Sequence, residues 1–281
     1  LPVFLINASG ALGLGGGKDG TVVRSNYTFF LKILLDKLGE SAYEALNILV
    51  QRICVTVPDR AEMRLKASYI VLDILKVSPP DLQAEEIYSI VFMSHMQETK
   101  TRLLTLEIIS KLLLEVDAIS FTQLPQKYAA VTNDEFLLAV ILYRCQDTTT
   151  SISTKALSYL DQIISSKDTN RRAKKLVDKI FVEPYAETEN PETVPDYQRG
   201  IFDTQRFLSN EEQFLDDCEL NPLPGVKVIL DMLVYFSQED KVFVRKSARQ
   251  TLASIFLYNR IWIKMDLLMV KCRVIIIVEI I

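Results

Sequence analysis

The chain has 281 residues, 49% of them hydrophobic, 24% charged, and a net charge of −4. That length can bury a large core. Cys54, Cys145, Cys218 and Cys272 lie far apart with no Cys-x-x-Cys pair, a spacing that gives no support to a disulfide or zinc framework and predicts buried free thiols in a reducing compartment. The net charge hides a segregation: Lys167 to Lys179 carries +4, Glu183 to Glu219 carries −9, and the rest is close to neutral. Partners are therefore read from patches, not from the total.

In chain order, Leu1 in place of Met points to a fragment or a processed product. The apolar Leu1 to Leu14 stretch has no basic segment before it, which argues against a secretion signal. A Gly-rich turn spans Gly13 to Gly20. A helix is expected over Asn26 to Leu38, stopped by Gly39. Ser41 with Glu44 forms a capping box before a helix over Ala42 to Cys54. Pro58 closes that segment, and Asp59 with Glu62 repeats the box before the next helix. Ser78-Pro79-Pro80-Asp81 is a turn, and Gln83 to Met96 reads as a helix. Thr132 with Glu135 caps a helix over Asp134 to Cys145, and Asp147 to Ser151 turns into the helix after it.

One helical pattern recurs four times. Met63 precedes Ala67, Ile70, Val71, Ile74 and Leu75. The same offsets give Thr101 before Thr105, Ile108, Ile109, Leu112 and Leu113, then Ile152 before Ala156, Tyr159, Leu160, Ile163 and Ile164. The last copy is Val244 before Ala248, Thr251, Leu252, Ile255 and Phe256. Spacing i, i+3, i+4, i+7, i+8 makes one apolar stripe on an α-helix. Each striped helix follows another apolar helical run, and recurring pairs that cannot bury their faces alone predict an all-α solenoid, one elongated unit and not two globular domains. The leading positions are 38, 51 and 92 residues apart, so the last interval holds an insertion or an unrecognised repeat.

The striped helices resemble HEAT repeats, whose second helix starts with an acidic residue and then Val-Arg-x-x-Ala. Asp240 before Val244-Arg245-Lys246-Ser247-Ala248 is the best copy. Asp59 before Met63-Arg64-Leu65-Lys66-Ala67 is nearly as good. The resemblance implies close helix pairs and an Asp–Arg ladder between repeats, broken at Ser153. The expected organisation is a Gly-rich segment at 1–20, HEAT-like repeats at 21–165, an acidic, disordered or loop insertion at 166–223, a further HEAT-like repeat at 224–258, and an apolar tail at 259–281. Acids and prolines dominate the insertion, and its apolar island at Gly200-Ile201-Phe202 and Phe207-Leu208 is either a short docking motif or solvated loop. The tail is interrupted by Lys264, Asp266, Lys271, Arg273 and Glu279 too often for a membrane span.

Chemistry-bearing motifs are sparse. Gly15 to Gly20 matches a G-x-G-x-x-G string, but a dinucleotide site needs it between a strand and a helix, and Gly17-Lys18 lacks the Ser or Thr of a phosphate loop. The single histidine, His95, sits near a helix end, where capping or surface placement explains it. No catalytic residue, cofactor, metal site or small-molecule substrate is expected. Lys241, Arg245, Lys246 and Arg249 gather at the start of the last striped helix and are the candidate DNA-binding residues, with Lys100, Arg102 and Lys167 to Lys179 as further positive character. For each singly, solvation or a ladder role is at least as good a reading.

Longer segments narrow the family. Gln51 to Arg64 (QRICVTVPDRAEMR), Thr101 to Ile109 (TRLLTLEII), Tyr143-Arg144-Cys145-Gln146-Asp147 ending at Lys155-Ala156-Leu157-Ser158, and Lys241 to Gln250 occur in collinear order over roughly residues 45–256. They resemble the D-type HEAT subunits of condensin II. That resemblance implies a non-catalytic scaffold in chromosome condensation in mitosis, located in the nucleus on chromosomes. Its partners would be the kleisin and SMC subunits, with double-stranded DNA or chromatin as a further contact, and no membrane. A general HEAT adaptor for cargo or signalling proteins is the alternative.

Overall fold

The computed structural model describes residues 18–115, 126–182, 200–209 and 222–259. Every regular element among them is helical: α1 (Lys18–Leu38), a 3₁₀ turn (Gly39–Ala42), α2 (Tyr43–Thr56), α3 (Ala61–Val77), α4 (Pro80–Met93), α5 (Thr99–Leu114), α6 (Gln126–Val131), α7 (Asp134–Cys145), α8 (Thr150–Ser165), α9 (Arg171–Val182), α10 (Thr204–Ser209), α11 (Val226–Phe236) and α12 (Val242–Asn259). Two compact units divide them. The first holds residues 18–115, 126–133 and 205–209, and the second holds 134–182, 200–204 and 222–259.

The punctuation follows local chemistry. Gly39 adopts φ +52, the left-handed conformation that ends α1 at little cost to glycine. Val57 before Pro58 and Ser78 before Pro79 are both extended, because a following proline disfavours the helical region. Pro80 occupies the first turn of α4, where its missing N–H costs nothing.

In the first unit α1 packs on α3, α3 on α5, and α2 on α4, so second helices lie on second helices and first helices on first. Ser68 with Glu107 and the Lys111 ammonium 4.1 Å from the Tyr69 ring centroid show α3 and α5 running in the same direction. In the second unit α7 pairs with α8, α11 with α12, and α8 stacks directly on α12. There the Thr251 hydroxyl donates to the Leu157 carbonyl at 3.2 Å and the Gln250 amide to the Asp161 carboxylate at 2.9 Å. All twenty stripe positions in the four copies are buried, with Ala67, Ala156 and Ala248 fully so. A small side chain at that point lets a neighbouring helix approach closely. Among the described residues the expected all-α architecture of HEAT-like helix pairs is thus what forms.

Several local expectations are corrected. Helix α1 starts at Lys18, not Asn26; the Lys18–Asn26 window has no proline, and one interior glycine is a tolerable cost of about 1 kcal/mol. Gly13 to Gly17 lie outside the described residues. No side-chain cap forms at α2, because Ser41 sits inside the 3₁₀ turn and Ala42 becomes the N-cap. Nor does one form at α3, whose N-cap is Arg60; the Asp59 carboxylate instead receives Arg64 Nη1 at 2.6 Å.

Among the described residues of the 92-residue interval no repeat stands between α8 and α12, since those two helices touch. It does contain helix α9, within the range expected to be insertion. Ala173, Leu176, Val177 and Ile180 form a buried i, i+3, i+4, i+7 stripe, and α9 packs on α8. Its charged residues had concealed that spacing. The island at Gly200 docks on the second unit: Phe202 meets Phe136 edge-to-face at 6.0 Å, and a Cβ on Gly200 would stand 2.7 Å from the Val228 side chain. Residues 183–199, 210–221, Cys218, Cys272 and the tail at 260–281 lie outside the described residues.

Candidate nucleic-acid interface

The four candidate cations sit where α11 hands over to α12, and they divide into two kinds. Arg245 Nη1 donates to the Glu239 carbonyl at 2.9 Å, and Arg249 Nε donates to the Ser237 carbonyl at 3.1 Å. Both guanidiniums therefore reach back to the turn after α11, whose last carbonyls lack helical partners and carry the negative end of the helix dipole. Lys246 is exposed. Lys241 is exposed as well, its ammonium 3.4 Å from the Thr148 carbonyl in the α7–α8 turn. Both lysines are exposed to an external anion, whereas the arginines hold the backbone from which that surface is built.

The same backward reach recurs at the equivalent position of other copies. Arg64 binds the Asp59 carboxylate of its own preceding turn, and Ser153, standing where arginine was expected, donates to the Cys145 carbonyl at 2.7 Å. In these three copies the side chain fastens the turn within a helix pair, and the expected ladder between repeats is not what it makes. The α7–α8 turn is further held by Arg144, whose Nη1 lies 2.9 Å from Asp147 Oδ2 with both side chains buried, while Asp147 Oδ1 accepts from the Thr149 amide. The Arg-Cys-x-Asp string is thus a turn lock.

Lys167 to Lys179 does not extend this surface. Lys241 touches the beginning of α8, while α9 starts past the end of α8 and is tied by Arg172 to Asp134. The two basic groups are separated by the 16 residues of α8, roughly 24 Å. Much of the α9 charge is also paired: Arg172 forks onto Asp134, Lys174 meets Asp178 at 2.5 Å, and Lys179 meets Glu135. In the first unit Lys100 pairs with Glu98 at 3.6 Å.

The remaining chemical candidates occupy structural places. Cys54 and Cys145 are free and buried, and burial pushes the Cys54 thiol up to about 12 and that of Cys145 up as well, far from a reactive thiolate. His95 is half-buried in the turn after α4, its backbone N–H donating to the Phe92 carbonyl. Lys18 to Gly20 form the first turn of α1 and follow no described strand. Among the described residues no group of three or more His, Cys, Asp or Glu is placed to hold a metal ion, and no helix is long and apolar enough to cross a membrane.

Sequence reasoning missed one buried carboxyl. Glu86, in the middle of α4, is fully buried with neither oxygen in a well-formed hydrogen bond, and burial raises it to about 8 against a smaller opposing effect of the Ser78 hydroxyl. The nearby Tyr27 phenol is likewise buried and unpartnered, and burial, with the charges of Asp73 and Glu86, pushes it upward. The spacing of α4 marks Glu86 as a core position, but nothing in the sequence says that the group stays protonated.

No protein-family model matches the chain, and no solved structure matches it. Among curated proteins it is 28% identical over 263 residues to condensin-2 complex subunit D3 of Mus musculus, covering 89% of this chain and 17% of that protein. It is 26% identical over 239 residues to condensin-2 complex subunit D3-L of Xenopus laevis, covering 80% of this chain and 16% of that protein. The chain spans about one sixth of the length of these relatives. The collinear HEAT-like segments from Gln51 to Gln250 and these two comparisons agree, and over most of its length this chain is similar to the D3-type subunit of condensin II.

Proposed function

We propose that this chain is a non-catalytic HEAT-repeat scaffold in a condensin II-like complex, acting in mitotic chromosome condensation on nuclear chromosomes by binding a kleisin subunit and chromosomal DNA. The observation that carries the reading is the similarity to condensin-2 subunit D3 across 89% of the chain. SMC subunits would be reached as members of the same assembly. The DNA contact is supported by the α11–α12 turn, where exposed Lys241 and Lys246 stand beside Arg245 and Arg249. Phosphate contacts by such cations release condensed counterions, so affinity falls steeply with salt.

Two measurements test this. Affinity purification from dividing cells should recover SMC and kleisin chains; recovery of transport or signalling partners instead would favour a general HEAT adaptor. Duplex binding should weaken in Lys241→Glu plus Lys246→Glu, with the log–log salt slope reduced by about 2 for two lost phosphate contacts. These lysines are the better probes, because altering Arg245 or Arg249 also disturbs the turn. Unchanged affinity and slope in the double variant would dismiss this face as a DNA contact.

A further inference from the structure

The α11–α12 turn exposes apolar surface where the core pattern has no use for it. Phe243 is 71% exposed, Val242 60%, and Tyr235, at the end of α11, 51%. Phe243 and Lys246 are three residues apart and Val242 and Lys246 four apart, so each pair shares a helix face, and Lys241 lies just before them. Their neighbour Val244 points the other way and is buried against the helix pair. Glu239 and Asp240 are the acidic groups of this turn, against Lys241, Arg245, Lys246 and Arg249, which leaves the face net positive.

An exposed aromatic ring set among lysines offers two different contacts to one nucleotide, a flat apolar surface for a base and a cation for its phosphate. Duplex DNA can use only the second, because its bases are stacked on one another. Unpaired bases can use both. Resting on the nucleic-acid reading above, we infer that the α11–α12 turn is a platform for single-stranded nucleic acid, with Phe243 as the stacking surface and Lys241 and Lys246 as phosphate contacts. Stacking does not depend on net charge, so Glu239 and Asp240 do not oppose it.

The test uses the full chain, a fluorescein-labelled 20-nucleotide oligothymidine, and a labelled duplex of the same length, with anisotropy read across a salt series. Phe243 is largely exposed, so Phe243→Ala should fold normally, as circular dichroism would verify. It should weaken oligothymidine binding about tenfold, the scale expected for one lost base–aromatic stack, and change duplex binding less than about twofold. The salt slope should not move, and Phe243→Trp should restore the affinity. Lys241→Glu plus Lys246→Glu should weaken both probes. Duplex binding that depends on the lysines, with oligothymidine affinity unmoved by Phe243→Ala, would overturn the stacking platform and leave the basic-face reading standing. Failure of both probes to bind at low salt would overturn both. Loss of kleisin recovery in Phe243→Ala, with oligothymidine affinity intact, would reassign the face to a protein partner and overturn the inference.

Discussion

The stacked second helices of the two units, α3 with α5 and α8 with α12, have similar packing reached through very different connections. The leading stripe positions are 38 residues apart in the first unit and 92 in the second, yet each helix buries the same five offsets and runs parallel to its neighbour. Closing the longer connection, even if it were wholly flexible, adds only about 1 kcal/mol, because loop entropy grows with the logarithm of length. What decides the stacking is the stripe with its small residue, and the chain between stripes is free to vary. The units differ more in their polar interiors. The turn pair Arg64–Asp59 is open to solvent, with 69% of the Asp59 side chain exposed, while Arg144–Asp147 is buried. The first unit also buries Glu86 in the middle of α4, where the middle of α7 holds Ala139 and Val140.

The sharpest way to break this comparison is at the two turn pairs. Asp147→Ala should cost about 3–5 kcal/mol, because it removes one partner of a buried ion pair and the acceptor of the Thr149 amide. Asp59→Ala should cost under about 1 kcal/mol, the range of exposed pairs. Urea midpoints measure both, and equal losses would show that burial is not what separates them. Leu112→Ala and Ile163→Ala occupy the same stripe offset in the two units, and each should lose about 2–5 kcal/mol. A loss below about 1 kcal/mol in one of them would mean that the stacks are not equivalent.

Glu86→Gln sharpens the difference in buried charge. The folded carboxyl, raised to about 8, keeps its proton between its ordinary value of 4.5 and about 8, while the unfolded chain has released it. Stability from this group is therefore full below 4.5, falls as pH rises toward 8, and no longer changes above that. Glu86→Gln should remove this slope and stabilise the protein at pH 8 by on the order of a few kcal/mol. Parallel stability–pH curves for the two proteins would show that Glu86 finds a partner or water. The smallest effect is Ser153→Ala, which removes one hydrogen bond to the Cys145 carbonyl and should cost about 1 kcal/mol. Amide exchange in the α7–α8 turn would rise selectively; no local change would deny Ser153 the fastening role that Arg245 has in the last copy.

Much of the fold was legible because burial on a helix imposes a period of 3.6 residues, and the four stripes obey it without exception. The resemblance to D-type condensin II subunits was legible for a related reason: Arg144 with Asp147 locks the α7–α8 turn, Arg245 and Arg249 fasten the turn before α12, and such contacts restrict residue choice. Helix α9 obeyed the same period at Ala173, Leu176, Val177 and Ile180, but its five cations obscured it. The candidate interface was legible only as a cluster of charge. Charge alone does not separate Arg245 and Arg249, which bind the backbone of a preceding turn, from Lys241 and Lys246, which face solvent.

The sequence by itself determined the helices and their buried faces, because side-chain spacing and proline or glycine punctuation act within a few residues. Tertiary structure alone decided that α8 stacks directly on α12, that Asp59 takes a guanidinium in place of capping α3, and that Glu86 is enclosed without a well-formed hydrogen bond. Each of those outcomes depends on groups brought together from distant positions, where the environment, and not the residue, sets the free energy of a contact or a charge.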